Sequence, residues 1–328
     1  MESPHEPPWR AKAKSGRDFP APLVFVVLRR RATATLLAVC LAFALAAPLL
    51  QASDHATFTR QDDVIYGHKS GMALVMDVFQ PTHSNGLGIL FILSSGWVSY
   101  EDMFPPSFYD PLLKRGYTVF AVAHGSQPKF HILEMMQDMH RAVRFIRFNA
   151  GRFGIDPKGI GVSGMSAGGH LSLVLATQGG PGDDEAKDPV ERQSSAVQAV
   201  ACFFPPTDFL NYGTTRTNVV SPSIPYLLKP AFGAIPSDPE EARKYGESIS
   251  PIYSLTPHLP PTLIIQGDAD EVVPIQQAFI FRDKAVAMGD TVKVKVKEGQ
   301  GHGWPHMQPD METCADWFDQ YLRPRKGG

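Results

Sequence analysis

The sequence predicts an α/β domain with a mostly parallel central sheet and helices on both faces. Short apolar runs of strand length alternate with longer segments whose apolar residues recur at helical spacing. The inner runs are mainly apolar along their length rather than at every second position, as expected of strands covered on both faces. The residue types that carry chemistry fall just past the ends of those runs, where open α/β sheets keep their sites.

Taken in order, 64–66 and 73–79 read as strands of a hairpin, and 88–93 as a fully apolar strand. Residues 106–115 read as a helix stopped by Gly116, and 118–123 as the next strand. A long helix follows over 131–148, with Met135, Met139, Val143 and Ile146 at core spacing. Then come a short strand (159–162), a helix (167–176), a strand (197–204) that ends in Pro205-Pro206, and a strand at 262–266. A helix (275–288), an alternating strand suited to a sheet edge (291–297) and a closing helix (311–322) complete the series. Residues 207–260 fit no place in the alternation. Their richness in Pro, Tyr and Ser reads as a small lid or cap insertion.

The first 52 residues read as a leader to a catalytic domain over 53–328. A basic stretch ending in Arg29-Arg30-Arg31 precedes an uncharged apolar run, 32–50, and the small-residue exit Gln51-Ala52-Ser53. That is the layout of a secretory signal, although the run is also long enough to serve as an uncleaved anchor. Both readings place the body on the exported side, and membrane contact is expected only through such an anchor. The length of the lead before Arg29 suggests a start site set too far upstream. The composition is 43% hydrophobic and 20% charged with a net charge of −2, so no basic excess points to nucleic acid. Outside the apolar run the cysteines are Cys202 and Cys314. Two cysteines define no disulfide framework, and Cys202 in an apolar strand reads as a buried free thiol. Neither CxxC nor metal-ligand spacing occurs, so no metal or cofactor is expected.

The strongest motif is Gly164-Met165-Ser166-Ala167-Gly168. Alone, G-x-S-x-G is common. Between a strand and a helix it is the context of a nucleophile elbow, in which the serine hydroxyl is lifted off the sheet. A serine hydroxyl needs a base oriented by a third group. The expected chain order is serine, acid, histidine. Downstream, the strand 262–266 runs into Gly267-Asp268-Ala269-Asp270-Glu271-Val272-Val273-Pro274. Asp270 is the candidate acid, and Asp268 the alternative, with turn capping as its other role. The strand 291–297 runs into Gly301-His302-Gly303, and His302 is the candidate base. The oxyanion hole is expected from the Ala167 N–H and from the loop Ser94-Ser95-Gly96-Trp97, by backbone N–H groups or a serine hydroxyl. Gly96, Trp97, His124 and Met165 are candidates to line the pocket, and His170 to pack beneath the site.

On these motifs the body resembles the acetyl esterase/lipase group of α/β-hydrolases, including hormone-sensitive-lipase-like and feruloyl/acetylxylan-esterase-like members. The resemblance runs roughly from Asp63 to Leu322. It implies an α/β-hydrolase fold, with Ser166 as nucleophile, Asp270 as acid and His302 as base. Two places depart from the group. Its usual His-Gly-Gly-Gly-Trp loop is Leu93-Ser94-Ser95-Gly96-Trp97 here, and its frequent Asp-Tyr-Arg is Ala123-His124-Gly125. The expected substrate is a small-molecule or carbohydrate ester with a short acyl group. The same triad also serves peptidases and arylformamidases, and a non-catalytic binding protein of the same fold is the reading from another class.

Overall fold

The structure is a computed structural model that describes residues 56–213, 217–220 and 228–324. The apolar run 32–50 and its basic flank, with the expectation of a signal or anchor, lie outside the described residues. Among the described residues no helix is long and apolar enough to cross a membrane.

The chain from His55 onward forms one compact unit. It opens with an antiparallel hairpin of β1 (Phe58–Lys69) and β2 (Met72–Pro81). The inner strands β3 (Gly88–Ile92), β4 (Thr118–Val122), β5 (Ile160–Met165), β6 (Ala199–Phe203) and β7 (Thr262–Gly267) and the edge strand β8 (Val292–Lys297) pair in parallel. Among the described residues they make one eight-stranded sheet, ordered β1-β2-β4-β3-β5-β6-β7-β8. Its helices are α1 (Asp110–Leu113), α2 (Ile132–Phe148), α3 (Ala150–Phe153), α4 (Ala167–Gln178), α5 (Lys229–Phe232), α6 (Pro239–Ile249), α7 (Gln276–Ala287) and α8 (Gln308–Leu322).

The buried inner strands divide their apolar side chains between two cores. In β3, Leu90 and Ile92 join Met135, Met139, Leu171, Val174 and Phe281 from α2, α4 and α7. Ile89 and Phe91 face the other way, onto Leu112, Met311, Trp317 and Phe318 from α1 and α8. This is the two-sided cover expected from the sequence. The methionines of α2 are core residues, as their spacing predicts.

Three elements differ from the reading. β1 begins six residues before the expected strand, because its first half carries little apolar signal. Ion pairs hold it there instead: Arg60 reaches Asp77 at 2.7 Å and Asp102 at 2.6 Å. The helix expected over 106–115 is a 3₁₀ turn, Pro106–Tyr109, followed by the single turn α1. Pro111 lacks the N–H that would join the two into one ladder. Finally, the stretch between β6 and β7 does hold a helix of the alternation. Two parallel strands need a crossover, and α6 supplies it. Its Asp238 cap accepts from the N–H groups of Glu240 and Glu241, while Ile249 and Ile252 reach the inner core. The cap expected over 207–260 falls on this connection, of which 214–216 and 221–227 lie outside the described residues.

Candidate active site

Ser166 sits at the turn between β5 and α4 with φ 54° and ψ −118°. A β-carbon disfavours this region, at a cost of about 1–3 kcal/mol, and such residues cluster at functional sites. The turn is held from behind, where the Ser166 N–H donates to the Phe203 carbonyl at 3.0 Å. The strain therefore lies on the serine itself. The flanking glycines serve close approach instead. A Cβ on Gly164 would lie 2.5 Å from the Gly168 carbonyl oxygen, and one on Gly168 would lie 2.6 Å from that of Ile92. Neither carbonyl can retreat without breaking the turn or the end of β3.

The three candidates from distant parts of the chain meet here. His302 Nε2 lies 2.9 Å from Ser166 Oγ, and its Nδ1 lies 2.9 Å from Asp270 Oδ2. A carboxylate oxygen accepts, so the imidazole proton sits on Nδ1 and the Nε2 lone pair faces the serine. The Asp270 side chain is fully buried, and that of His302 is 23% exposed. Three further donors compensate the buried charge of Asp270. The Val272 and Val273 N–H groups bond Oδ1 at 2.9 and 2.8 Å, and Gln266 Nε2 bonds Oδ2 at 3.1 Å. Asp268 instead accepts from the Gly299 N–H at 2.6 Å, tying the acid loop to the chain after β8. That is the turn-capping role.

Several supporting residues carry no signal in the sequence. Gln266 ends β7 fully buried, and its amide also donates to the Val273 carbonyl at 2.9 Å. Phe204, with φ 36°, lays its ring 4.6 Å from the His302 imidazole. Trp304 packs on Phe204 and donates its indole N–H to Asp310 at 2.8 Å. Asp310 lies in α8 and pairs with Lys295 at 3.2 Å and Lys297 at 3.0 Å on β8. Burial opposes its charge, but Lys297, Trp304 and Lys295 together hold its carboxyl below the usual range. The loop carrying His302 is thus fastened to both β8 and α8. The place of Phe204 before Pro205-Pro206 is the sole trace of it that the chain itself could offer.

Ser95 and Val98 bond each other through both N–H groups, at 2.9 and 3.0 Å, across Gly96 (φ 55°) and Trp97 (φ 60°). Left-handed values at both central residues make this a turn of type I′. The Ser95 N–H is therefore engaged by Val98, and a substrate oxygen would have to share it. The Ser94 hydroxyl lies 2.8 Å from His124 Nε2. Trp97 is buried against His170, Phe209 and Phe232. His170 is also buried. It donates from Nε2 to the Ile249 carbonyl at 2.7 Å and accepts the Trp97 indole N–H at 3.4 Å. Met165 is half-buried on the α8 side of the sheet with Trp304 and Met307. Cys202 and Cys314 are free and buried. Among the described residues no group of three His, Cys, Asp or Glu is placed to hold a metal. A cleft of about 730 Å³ lined by Lys69, His140, Arg141, Arg144 and Glu191 contains none of Ser166, Asp270 and His302.

A nucleophile elbow after β5, an acid after β7 and a histidine after β8, on a sheet of this order, define an α/β-hydrolase of the acetyl esterase/lipase-like group. The BD-FAE family profile matches residues 76–285, and the chain belongs to that family. It is 26% identical over 291 residues to "Esterase LipC" of Mycobacterium tuberculosis, covering 85% of this chain and 69% of that protein. To "Probable carboxylic ester hydrolase LipM" of the same organism it is 25% identical, covering 72% of this chain and 54% of that one. Among solved structures it resembles a truncated carbohydrate esterase from gut microbiota. The TM-score is 0.69 at 28% identity, covering 82% of this chain and 98% of that chain.

Proposed function

We propose that the protein is a serine carboxylic ester hydrolase acting on short acyl esters of small alcohols or carbohydrates. The observation that carries this is the hydrogen-bonded series Ser166–His302–Asp270, with both links at 2.9 Å. His302 Nε2 takes the hydroxyl proton as Ser166 Oγ bonds the ester carbonyl carbon. Asp270 stabilises the imidazolium that results without taking its proton. The oxyanion then collapses, the alkoxide leaves with the proton from His302, and water repeats the steps on the acyl-enzyme. The Ala167 N–H opens α4, so it has no partner within the helix and faces developing charge at a helix N-terminus. An amide of the 94–97 loop supplies the second donor. The relatives named as esterases and the carbohydrate esterase structure support the ester class and the carbohydrate reading.

The test is turnover of p-nitrophenyl acetate with Ser166→Ala as control, then a panel of acetylated xylan, feruloyl esters and aminoacyl amides. Wild-type turnover abolished in the variant, with the serine labelled by a phosphonate, is the expected result. Labelling at another serine, or preference for the amides, would overturn it. The N-terminal layout further supports export of the body. Expressed from its full N-terminus in a bacterium, the enzyme should cross the membrane and begin near Ser53 if cleaved. Activity confined to the cytosol would refute export.

A further inference from the structure

The two places where this chain departs from the group's motifs touch each other. Ser94 stands where the first glycine of the usual oxyanion loop would be, and His124 follows the next strand. Their side chains meet at 2.8 Å, and both residues are about 95% buried. The direction of the bond follows from the rest of the ring. His124 Nδ1 lies 2.9 Å from the Gly125 carbonyl, which can only accept, so the ring proton is on Nδ1. Nε2 is therefore an acceptor, and the Ser94 hydroxyl donates its single proton to it. Burial pushes the His124 pKa down to about 4, which keeps the ring in this neutral acceptor form near neutral pH.

The same two loops are joined by five other hydrogen bonds, one of them from the Ser126 hydroxyl to the Ser99 carbonyl at 3.1 Å. The His124 N–H donates to Ser99 Oγ at 3.1 Å, and the Ser99 N–H donates to Ser126 Oγ at 2.8 Å. The Gln127 N–H reaches the Trp97 carbonyl at 3.2 Å, and its side-chain amide reaches the Gly96 carbonyl at 2.5 Å. The other contacts bind 96–99, within and after the turn. Ser94–His124 is the one that binds the near side, where the chain leaves β3. Oxyanion donors act by being held in place before charge develops.

We propose that Ser94 and His124 are a buried pair of positioning residues that holds the oxyanion loop, and that the Ser94 hydroxyl is not itself an oxyanion donor. This rests on the esterase reading. The pair has a side-chain lock at a position where glycine would offer only backbone.

The experiment compares wild type, Ser94→Ala, His124→Phe, His124→Gln and the double variant Ser94→Ala/His124→Phe. Each is measured for kcat and KM on p-nitrophenyl acetate and for Ki of a short-chain trifluoromethyl ketone, which forms the tetrahedral adduct. Losing one buried neutral hydrogen bond predicts about a tenfold fall in kcat for Ser94→Ala. KM should stay within about twofold, and the ketone Ki should rise by the same factor as kcat falls. The double variant should be no slower than His124→Phe alone. His124→Gln, which keeps an acceptor for the serine, should recover most of the rate. Unchanged kcat in Ser94→Ala, or multiplying losses in the double variant, would overturn the pair. So would a loss beyond about a hundredfold in Ser94→Ala with His124→Phe near wild type, since that marks a hydroxyl donor. No wild-type turnover on any ester would instead sink the esterase reading.

Discussion

Lowering the pH from 7 to 5 should destabilise the fold through His124 and His170. Both are buried, and burial pushes each pKa from 6.5 down to about 4. In the fold each ring is held neutral by partners that need the neutral form: Ser94 O–H for His124 and the Trp97 indole for His170. Between pH 6.5 and 4 the unfolded chain therefore binds protons that the folded chain refuses. Stability is full above the unfolded value and is lost as pH falls through this window. Per histidine, the shift from 6.5 to 4 gives a loss of about 1.8 kcal/mol between pH 7 and pH 5. His140, which burial likewise pushes down to about 4, adds a similar amount, so the three give about 5.5 kcal/mol, a large share of the roughly 5–15 kcal/mol of a typical domain. The assay is urea unfolding followed by tryptophan fluorescence at pH 7, 6 and 5. His170→Gln keeps a donor for the Ile249 carbonyl and removes one of three titrating groups, so the loss on acidification should fall by about a third. A wild-type loss below about 1 kcal/mol over this range, or the same loss in His170→Gln, would refute the reasoning.

Other outcomes follow from the site. Asp270→Asn should lower kcat by about 10³–10⁴, because an amide in that place favours the wrong imidazole tautomer. Asp268→Asn, which touches only the Gly299 N–H, should cost less than tenfold in the same ester assay. Ser95→Ala should stay within about threefold of wild-type kcat, since the exposed side chain is removed and the N–H held by Val98 is kept.

The alternation of strands and helices was legible because the inner strands are apolar on both faces, a pattern no surface element shares. The chain order of nucleophile, acid and base was legible for a related reason: Ser166 and Asp270 lie just past such strands, and His302 a few residues past the alternating edge strand. The structure brings Ser166, Asp270 and His302 together as that order implied. What escaped has no local signature. The front half of β1 is fixed by Arg60 ion pairs to distant aspartates. The polar surface of α6, with Glu240, Glu241, Arg243 and Lys244, hides a crossover helix inside a Pro-rich stretch. Gln266, Phe204 and Asp310 acquire their roles only when β7, β6 and α8 lie side by side. The elbow was legible in its motif, but the strain on Ser166 and the crowding of its glycines by the Gly168 and Ile92 carbonyls require the folded backbone to be seen.

The left-handed backbone at Ser166 sets the reactive atom at odds with the fold that carries it. A glycine there would relax a conformation that costs a serine about 1–3 kcal/mol, and it would also end the chemistry. Ser166→Gly should therefore melt higher than the parent while hydrolysing nothing. A population of variants screened for heat resistance alone would drift towards losing its nucleophile first. Activity has to be scored in every round of such a screen, because at this one residue thermal robustness and turnover pull in opposite directions.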